Sequence, residues 1–410
     1  MKIIASYVIA SSLLGWALWA TAADDDVIKR GEYIANTADC VACHTVQGGK
    51  KFAGGREFKL PFGSLFTPNI TSDKETGIGT WSDDDFVSAV QQGVGKDGKH
   101  YYPAFPYTSY TLMPREDILA IKQYLFSLPP VHEKSRPDTL AFPFNQRWGM
   151  AIWNWMFFDN ARFAVTPEKS AEWNRGAYLV EGPGHCGECH TPRNLMQATV
   201  SSKALGGAEI EGWRAYNISS DAQTGVGSWS IEELTHYLTH GYQQGRGVAA
   251  GPMSEVVEHS LGKLDPADVR AIAVYLKDSK PQQGGVPRPA PRSTATPVSG
   301  TADPQMVLGQ KIFADACAGC HKVTGEGNNS DVATLSGTKT VNDKTAANLL
   351  GVLLTGHTYP GMPRDHFMPD FAKNYSDQEL AAVSTFILHR FGDSGGTITA
   401  ERVQERKKEL

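Results

Sequence analysis

The strongest constraint on this chain is a five-residue pattern that occurs three times: Cys40-Val41-Ala42-Cys43-His44, Cys186-Gly187-Glu188-Cys189-His190 and Cys317-Ala318-Gly319-Cys320-His321. The three copies use all six cysteines of the 410 residues. C-x-x-C-H is the attachment signature of c-type haem. The spacing puts both sulfurs on one helical turn, where the thiols can add across two porphyrin vinyl groups. The adjacent histidine is then placed to ligate the iron. Structural zinc also takes C-x-x-C pairs. It needs two pairs together, so three pairs leave one over, and it gives no reason for a histidine after every second cysteine. A thioredoxin-like pair or an ordinary disulfide leaves the histidines equally unexplained. The pattern therefore predicts three covalently bound haem c groups on Cys40, Cys43, Cys186, Cys189, Cys317 and Cys320. His44, His190 and His321 are the expected iron ligands.

The amino terminus suggests the compartment. An apolar run from Ile3 to Trp19 follows Lys2 and leads to the small-x-small site Ala20-Thr21-Ala22 and the acidic Asp24-Asp25-Asp26. Residues 1–22 read as a secretory signal peptide cleaved near Ala22. The alternative is a retained anchor, for which a seventeen-residue run stands at the short limit of a span. The net charge of −5 excludes a nucleic-acid partner held mainly by charge.

The sequence around the motifs also repeats. Cys40 and Cys186 are 146 residues apart, and Cys186 and Cys317 are 131 apart, the size of a small domain. Arg30-Gly31-Glu32-Tyr33, Arg175-Gly176-Ala177-Tyr178 and Gly309-Gln310-Lys311-Ile312-Phe313 each open a short helix before the cysteines. Asn69-Ile70-Thr71-Ser72-Asp73 matches Asn217-Ile218-Ser219-Ser220-Asp221, and Gly77-Ile78-Gly79-Thr80-Trp81-Ser82 matches Gly225-Val226-Gly227-Ser228-Trp229-Ser230. Apolar residues at three- and four-residue intervals predict amphipathic closing helices over Asp117–Ser127, Asp268–Lys277 and Asp377–Arg390.

The expected architecture is all-α, in three tandem domains over 23–137, 173–280 and 303–393. Residues 281–302 read as an extended, exposed linker, since 281–300 hold five prolines, three glycines and no aromatic residue. The connector 138–172 carries Trp148, Trp153, Trp155, Phe157, Phe158 and Phe163, expected as a helix packed between two domains. An exposed patch that docks a partner or a membrane face is the alternative. The tail 394–410 is expected as a solvated helix or a membrane-surface anchor.

An electron-transfer haem needs a second axial ligand, and the soft methionine thioether raises the potential. Met253 follows Gly251-Pro252, and Met368 precedes Pro369 shortly before the third closing helix, with Met362 as a weaker competitor. The first copy breaks the pattern. Trp229 to Met253 is 24 residues, and the same count from Trp81 lands on Phe105, which cannot ligate iron. Met113, just before the closing helix, is the nearest candidate, His100 is a second, and an open iron is the third.

These residues resemble the triheme cytochrome c subunit of bacterial membrane-associated dehydrogenases, the group that serves alcohol, gluconate, sorbitol, fructose and aldehyde dehydrogenases. The resemblance rests on the three C-x-x-C-H domains, the Asn-Ile-Thr-Ser-Asp and Gly-Ile-Gly-Thr-Trp blocks, the Tyr102-Pro103-Ala104-Phe105-Pro106-Tyr107 segment and Gly251-Pro252-Met253. It implies three class I cytochrome c-like domains, each around one covalent haem c, with Met253 and Met368 as sixth ligands. It implies a separate catalytic subunit with a quinone, flavin or molybdenum cofactor, and ubiquinone or a terminal oxidase as acceptor. The implied location is periplasmic, with peripheral attachment to the outer face of the inner membrane. Many members carry methionine where Phe105 stands. Two other functions compete with an electron-transfer subunit: a peroxidase-like haem enzyme with an open first iron, and a free-standing cytochrome that feeds an oxidase.

Overall fold

The computed structural model describes residues 25–289, 303–328, 331–359 and 367–410, the side chain of 331 excepted. The expected signal peptide, the rest of the linker and Met362 lie outside the described residues. The chain divides into two compact units. One runs to Ala164 and includes Gly182–Gly184, and the other comprises Val165–Glu181 and His185–Leu410. The first motif lies in the first unit, and the second and third share the other.

One helix-on-helix contact is made three times. The opening helices are 25–37, Ala171–Glu181 and Pro304–Ile312. The closing helices are Arg115–Ser127, Pro266–Asp278 and Asp377–Phe391. A side chain at Gly31, Gly176 or Gly309 would collide with the carbonyl of Ala120, Ala271 or Ala382, respectively. The next turn of each closing helix brings Tyr124, Tyr275 or Phe386 against the same glycine. The glycine in each opening sequence is therefore a close-packing residue. In the first two copies, the arginine before it bonds the acidic residue of the closing helix, Arg30 to Asp117 and Arg175 to Asp268.

The closing helices start where the apolar pattern places them, two residues early in the first two copies. The tryptophan block ends in a helix start. Ser82 and Ser230 form capping boxes with Asp85 and Glu233, and Ser376 does the same with Glu379 in the third copy.

Four expectations need correction. The fold is mostly helical, but the described residues also contain four antiparallel two-stranded ladders: Glu57–Leu60 with Gly63–Phe66, Ala208–Ile210 with Trp213–Ala215, Tyr242–Gln243 with Gly247–Val248, and His357–Thr358 with Phe367–Met368. These are too short to announce themselves by alternation.

The start of the linker is largely exposed, as expected, but it is tethered rather than free. Its carbonyls at Gln282 and Pro287 accept from Asn217 and Asn342, and Arg288 donates to Gly245 and Gly337. The tail helix Ala400–Glu409 is docked. Val403 and Arg406 are fully buried, and Arg406 stacks over Trp213 and donates to the Ala347 carbonyl.

The connector does form a helix, Gly149–Phe157. Only Trp153 of its tryptophans is buried, while Trp155 is 84% exposed and Phe142 and Trp148 lie largely open. The alternative of an exposed patch fits this segment better than a packed helix.

The glycine contact gives a direct test. Gly176→Ala is expected to destabilise the folded protein by roughly 1–3 kcal/mol through overpacking. Gly149→Ala, where nothing lies within 4 Å of the added atom, is expected to leave thermal unfolding unchanged or raise it slightly. Equal melting temperatures for the two variants would contradict the close-packing role.

Candidate functional site

Each motif is formed by one turn of helix. Cys40–Cys43 follows Asp39, which adopts left-handed backbone, and Cys186–His190 follows His185, which does the same. The third copy has a shorter approach. Its opening helix runs without a break through a π turn, Phe313–Cys317, into Ala318–His321. Each motif thus lies in one short stretch of helix, Cys40–Cys43, Cys186–His190 or the π turn with Ala318–His321.

The histidines are held alike. His44 Nδ1 lies 2.8 Å from the Pro68 carbonyl, His190 Nδ1 2.7 Å from that of Tyr216, and His321 Nδ1 2.7 Å from that of Ala333. A carbonyl only accepts, so Nδ1 carries the proton and donates. The lone pair is left on Nε2, the tautomer an iron ligand needs, and the acceptor raises the basicity of the ring. Burial lowers the pKa of all three rings, which keeps them neutral. The carbonyl of each histidine in turn accepts from a glycine N–H, that of Gly54, Gly207 or Gly327, each with positive φ.

The acceptors Pro68 and Tyr216 stand directly before the repeated Asn69 and Asn217. In the first copy, buried Asn69 accepts from Thr71 and donates to the Val131 and Glu133 carbonyls. In the second, Asn217 accepts from Ser219 and donates to the Gln282 carbonyl. Asp73 and Asp221 close the loop by accepting from Thr76 and Thr224. The glycines of the following block are required because a side chain there would strike the backbone of residues 71–73 or 219–221. The repeated loop is thus the mount for the carbonyl that orients the histidine. Pro68, Tyr216 and Ala333 are functional positions that motif reading misses, because a backbone carbonyl has no sequence signature.

The residues fit covalent haem. No disulfide joins any of the six cysteines. Burial pushes the thiols of Cys40 and Cys186 up to about 12 and that of Cys317 up to about 11, as expected for sulfurs set in an apolar site. Among the described residues, no group of three or more His, Cys, Asp or Glu side chains is gathered as a zinc site would need. Trp229 Nε1 is among the buried polar side-chain atoms with no hydrogen-bond partner within the protein.

The methionines sit in three different settings. Met113 is fully buried beside the start of the first closing helix, with its carbonyl held by Gln91. Met253 is the second residue of the helix Pro252–His259. Met368 pairs with His357 in the short ladder. Phe105 stacks edge-on against Tyr101 and Tyr110, with ring centres 5.9 and 5.5 Å away. Tyr110 donates to the carbonyl of Ala38, next to the first motif. Phe105 therefore belongs to an aromatic wall beside that motif. The His100 ring faces Asn154, with Nδ1 3.2 Å from its Nδ2.

This constellation defines a c-type cytochrome. Residues 28–129 and 306–390 match the cytochrome c family. The gluconate 2-dehydrogenase cytochrome c subunit of Pantoea cypripedii is 36% identical, over 98% of this chain and 95% of that one. The fructose dehydrogenase cytochrome subunit of Gluconobacter japonicus is 34% identical, over 92% and 82%. A nicotinate dehydrogenase subunit of Pseudomonas putida is 39% identical over 92% of this chain, which spans 31% of that protein's length. The chain belongs to the family of cytochrome c subunits of dehydrogenases. It carries covalent haem c and serves electron transfer.

The mount is testable without reference to haem. Asn69→Ala strands buried donors and acceptors and is expected to cost roughly 2 kcal/mol. Urea unfolding of the holoprotein measures it, and an unchanged midpoint would contradict the role of Asn69.

Proposed function

We propose that the chain is a triheme cytochrome, with one haem c at each motif, that takes electrons from a periplasmic dehydrogenase catalytic subunit and delivers them to ubiquinone or a terminal oxidase. The observation that carries this reading is the threefold repetition of the histidine-to-carbonyl bond behind three cysteine pairs that form no disulfide. The relatives support the partner, since those of gluconate and fructose dehydrogenase bear the name of a cytochrome subunit.

The bound haems supply one-electron chemistry, their iron alternating between ferric and ferrous states. The chain contributes the rest. His44, His190 and His321, together with Met113, Met253 and Met368, would hold the three irons. The buried helices exclude water. The substrate of the dehydrogenase stays on the partner, whose quinone, flavin or molybdenum cofactor performs the oxidation.

Peripheral membrane association accompanies this reading. Among the described residues no helix is long and apolar enough to cross a membrane. The exposed Phe142, Trp148, Ile152 and Trp155 supply the kind of aromatic and aliphatic surface that settles at a lipid interface.

Purification from the native membrane tests the assignment. A dehydrogenase catalytic subunit is expected in stoichiometric amount, and reduction of the haems on adding that enzyme's substrate. Isolation as a lone soluble monomer would contradict the reading. Phe105 motivates a second measurement, because an open first iron would make the protein a peroxidase-like enzyme. Met113→Ala is expected to remove the methionine–iron charge-transfer band of one haem and to let the reduced protein bind carbon monoxide there. An unchanged spectrum would reject Met113. Rapid carbon monoxide binding with peroxide turnover in the unmutated protein would favour the enzyme.

A further inference from the structure

We propose that Lys339, a residue of the third repeat, raises the reduction potential of the haem held in the second repeat by Cys186, Cys189 and His190, by placing a buried positive charge behind that histidine. The inference rests on the three-haem reading above.

Lys339 is 8% exposed. Its ammonium donates to the carbonyls of Thr224, Asn217 (3.4 Å) and Gly225 (3.3 Å), all in the repeated loop of the second copy. It stands 5.8 Å from the centre of the Tyr216 ring. The Tyr216 carbonyl is the acceptor of the His190 Nδ1 proton. Lys339 is therefore one residue away from the bond that orients the iron ligand of another repeat.

The charge is weakly screened there. Its donors go to neutral carbonyls. Asp221, whose charge favours the ammonium, directs its Oδ1 to the backbone of Gln223 and Thr224 and to the Thr224 hydroxyl. Burial pushes Lys339 down to about 8, so it is still mostly charged at neutral pH.

A nearby cation in a low-dielectric setting opposes the extra positive charge of ferric iron, and so favours the ferrous state. The first repeat is built differently. Its equivalent loop is tied to its own chain segment, through Asn69 to Val131 and Glu133. Lys339 therefore distinguishes the second haem from the first, although their motifs and loops are alike.

A purely mechanical role gives the opposite sign. If Lys339 only steadied the Tyr216 carbonyl, its loss would weaken the hydrogen bond to His190. The ring would donate less electron density and the potential would rise.

The test is a spectroelectrochemical titration of the full-length holoprotein and its variants. Haem stoichiometry is checked first, so that failure of the three-haem reading is seen separately. The potential missing from a Cys186→Ala/Cys189→Ala double variant identifies the second haem. Lys339→Gln keeps N–H donors without the charge, Lys339→Met fills the slot as a second neutral variant, and Lys339→Arg keeps the charge. The expected result is a fall in the second potential alone for Gln or Met, and a value close to that of the unmutated protein for Arg. An unchanged or raised second potential in the neutral variants, or an equal fall in Lys339→Arg, would overturn the proposal.

Discussion

A histidine that is to bind iron through Nε2 must have its other nitrogen committed elsewhere. In this chain the commitment is a hydrogen bond to a backbone carbonyl, made by His44, His190 and His321 at 2.7–2.8 Å. Much of the surrounding structure serves that bond. The opening helix brings the cysteines to their place, and the glycine lets it lie directly on the closing helix. In the first two repeats the asparagine loop then presents the acceptor. Because the acceptor is backbone, its position depends on the whole loop, including the aspartate and the glycines that allow its tight path.

The second and third repeats share more than a linker. Arg214 pairs with Asp343 at 2.9 Å, and its backbone N–H and carbonyl bond the side-chain amide of Asn348, which accepts through Oδ1 and donates through Nδ2. Trp213 lies against Gly351, and Arg406 of the tail helix stacks over the same ring. Lys339 reaches into the neighbouring loop at the same junction. Such a contact fixes two repeats as one body, and it lets a residue of one repeat act on the histidine of the other. It also means that the terminal helix, polar on paper, is structural: its arginine is buried because a carbonyl, a carboxylate and an aromatic face receive it.

The chemistry of the site was legible in the sequence because covalent attachment needs fixed residue types at fixed spacing. The closing helices were legible from apolar periodicity, and the two Gly-x-Gly-x-Trp-Ser blocks were visible as repeats before their purpose was known. What stayed hidden depends on partners distant in sequence. The acceptors Pro68, Tyr216 and Ala333 act through a carbonyl that every residue possesses. The proline-rich start of the linker suggests solvent exposure, yet its carbonyls remain good acceptors for Asn217 and Asn342. The aromatic connector showed the reverse, with tryptophans that composition assigns to a core and the fold leaves outside. The departure at Phe105 was visible by counting between repeats. Its place in a wall with Tyr101 and Tyr110 was not.

If all three cysteine–histidine turns are equivalent attachment sites, the intact mass of the protein isolated from its native host shows it most directly. Every chain is then expected to carry three haems, with no free thiol left for an alkylating reagent under denaturing conditions. A mass corresponding to two haems, or a cysteine pair that remains open to alkylation, would contradict that equivalence.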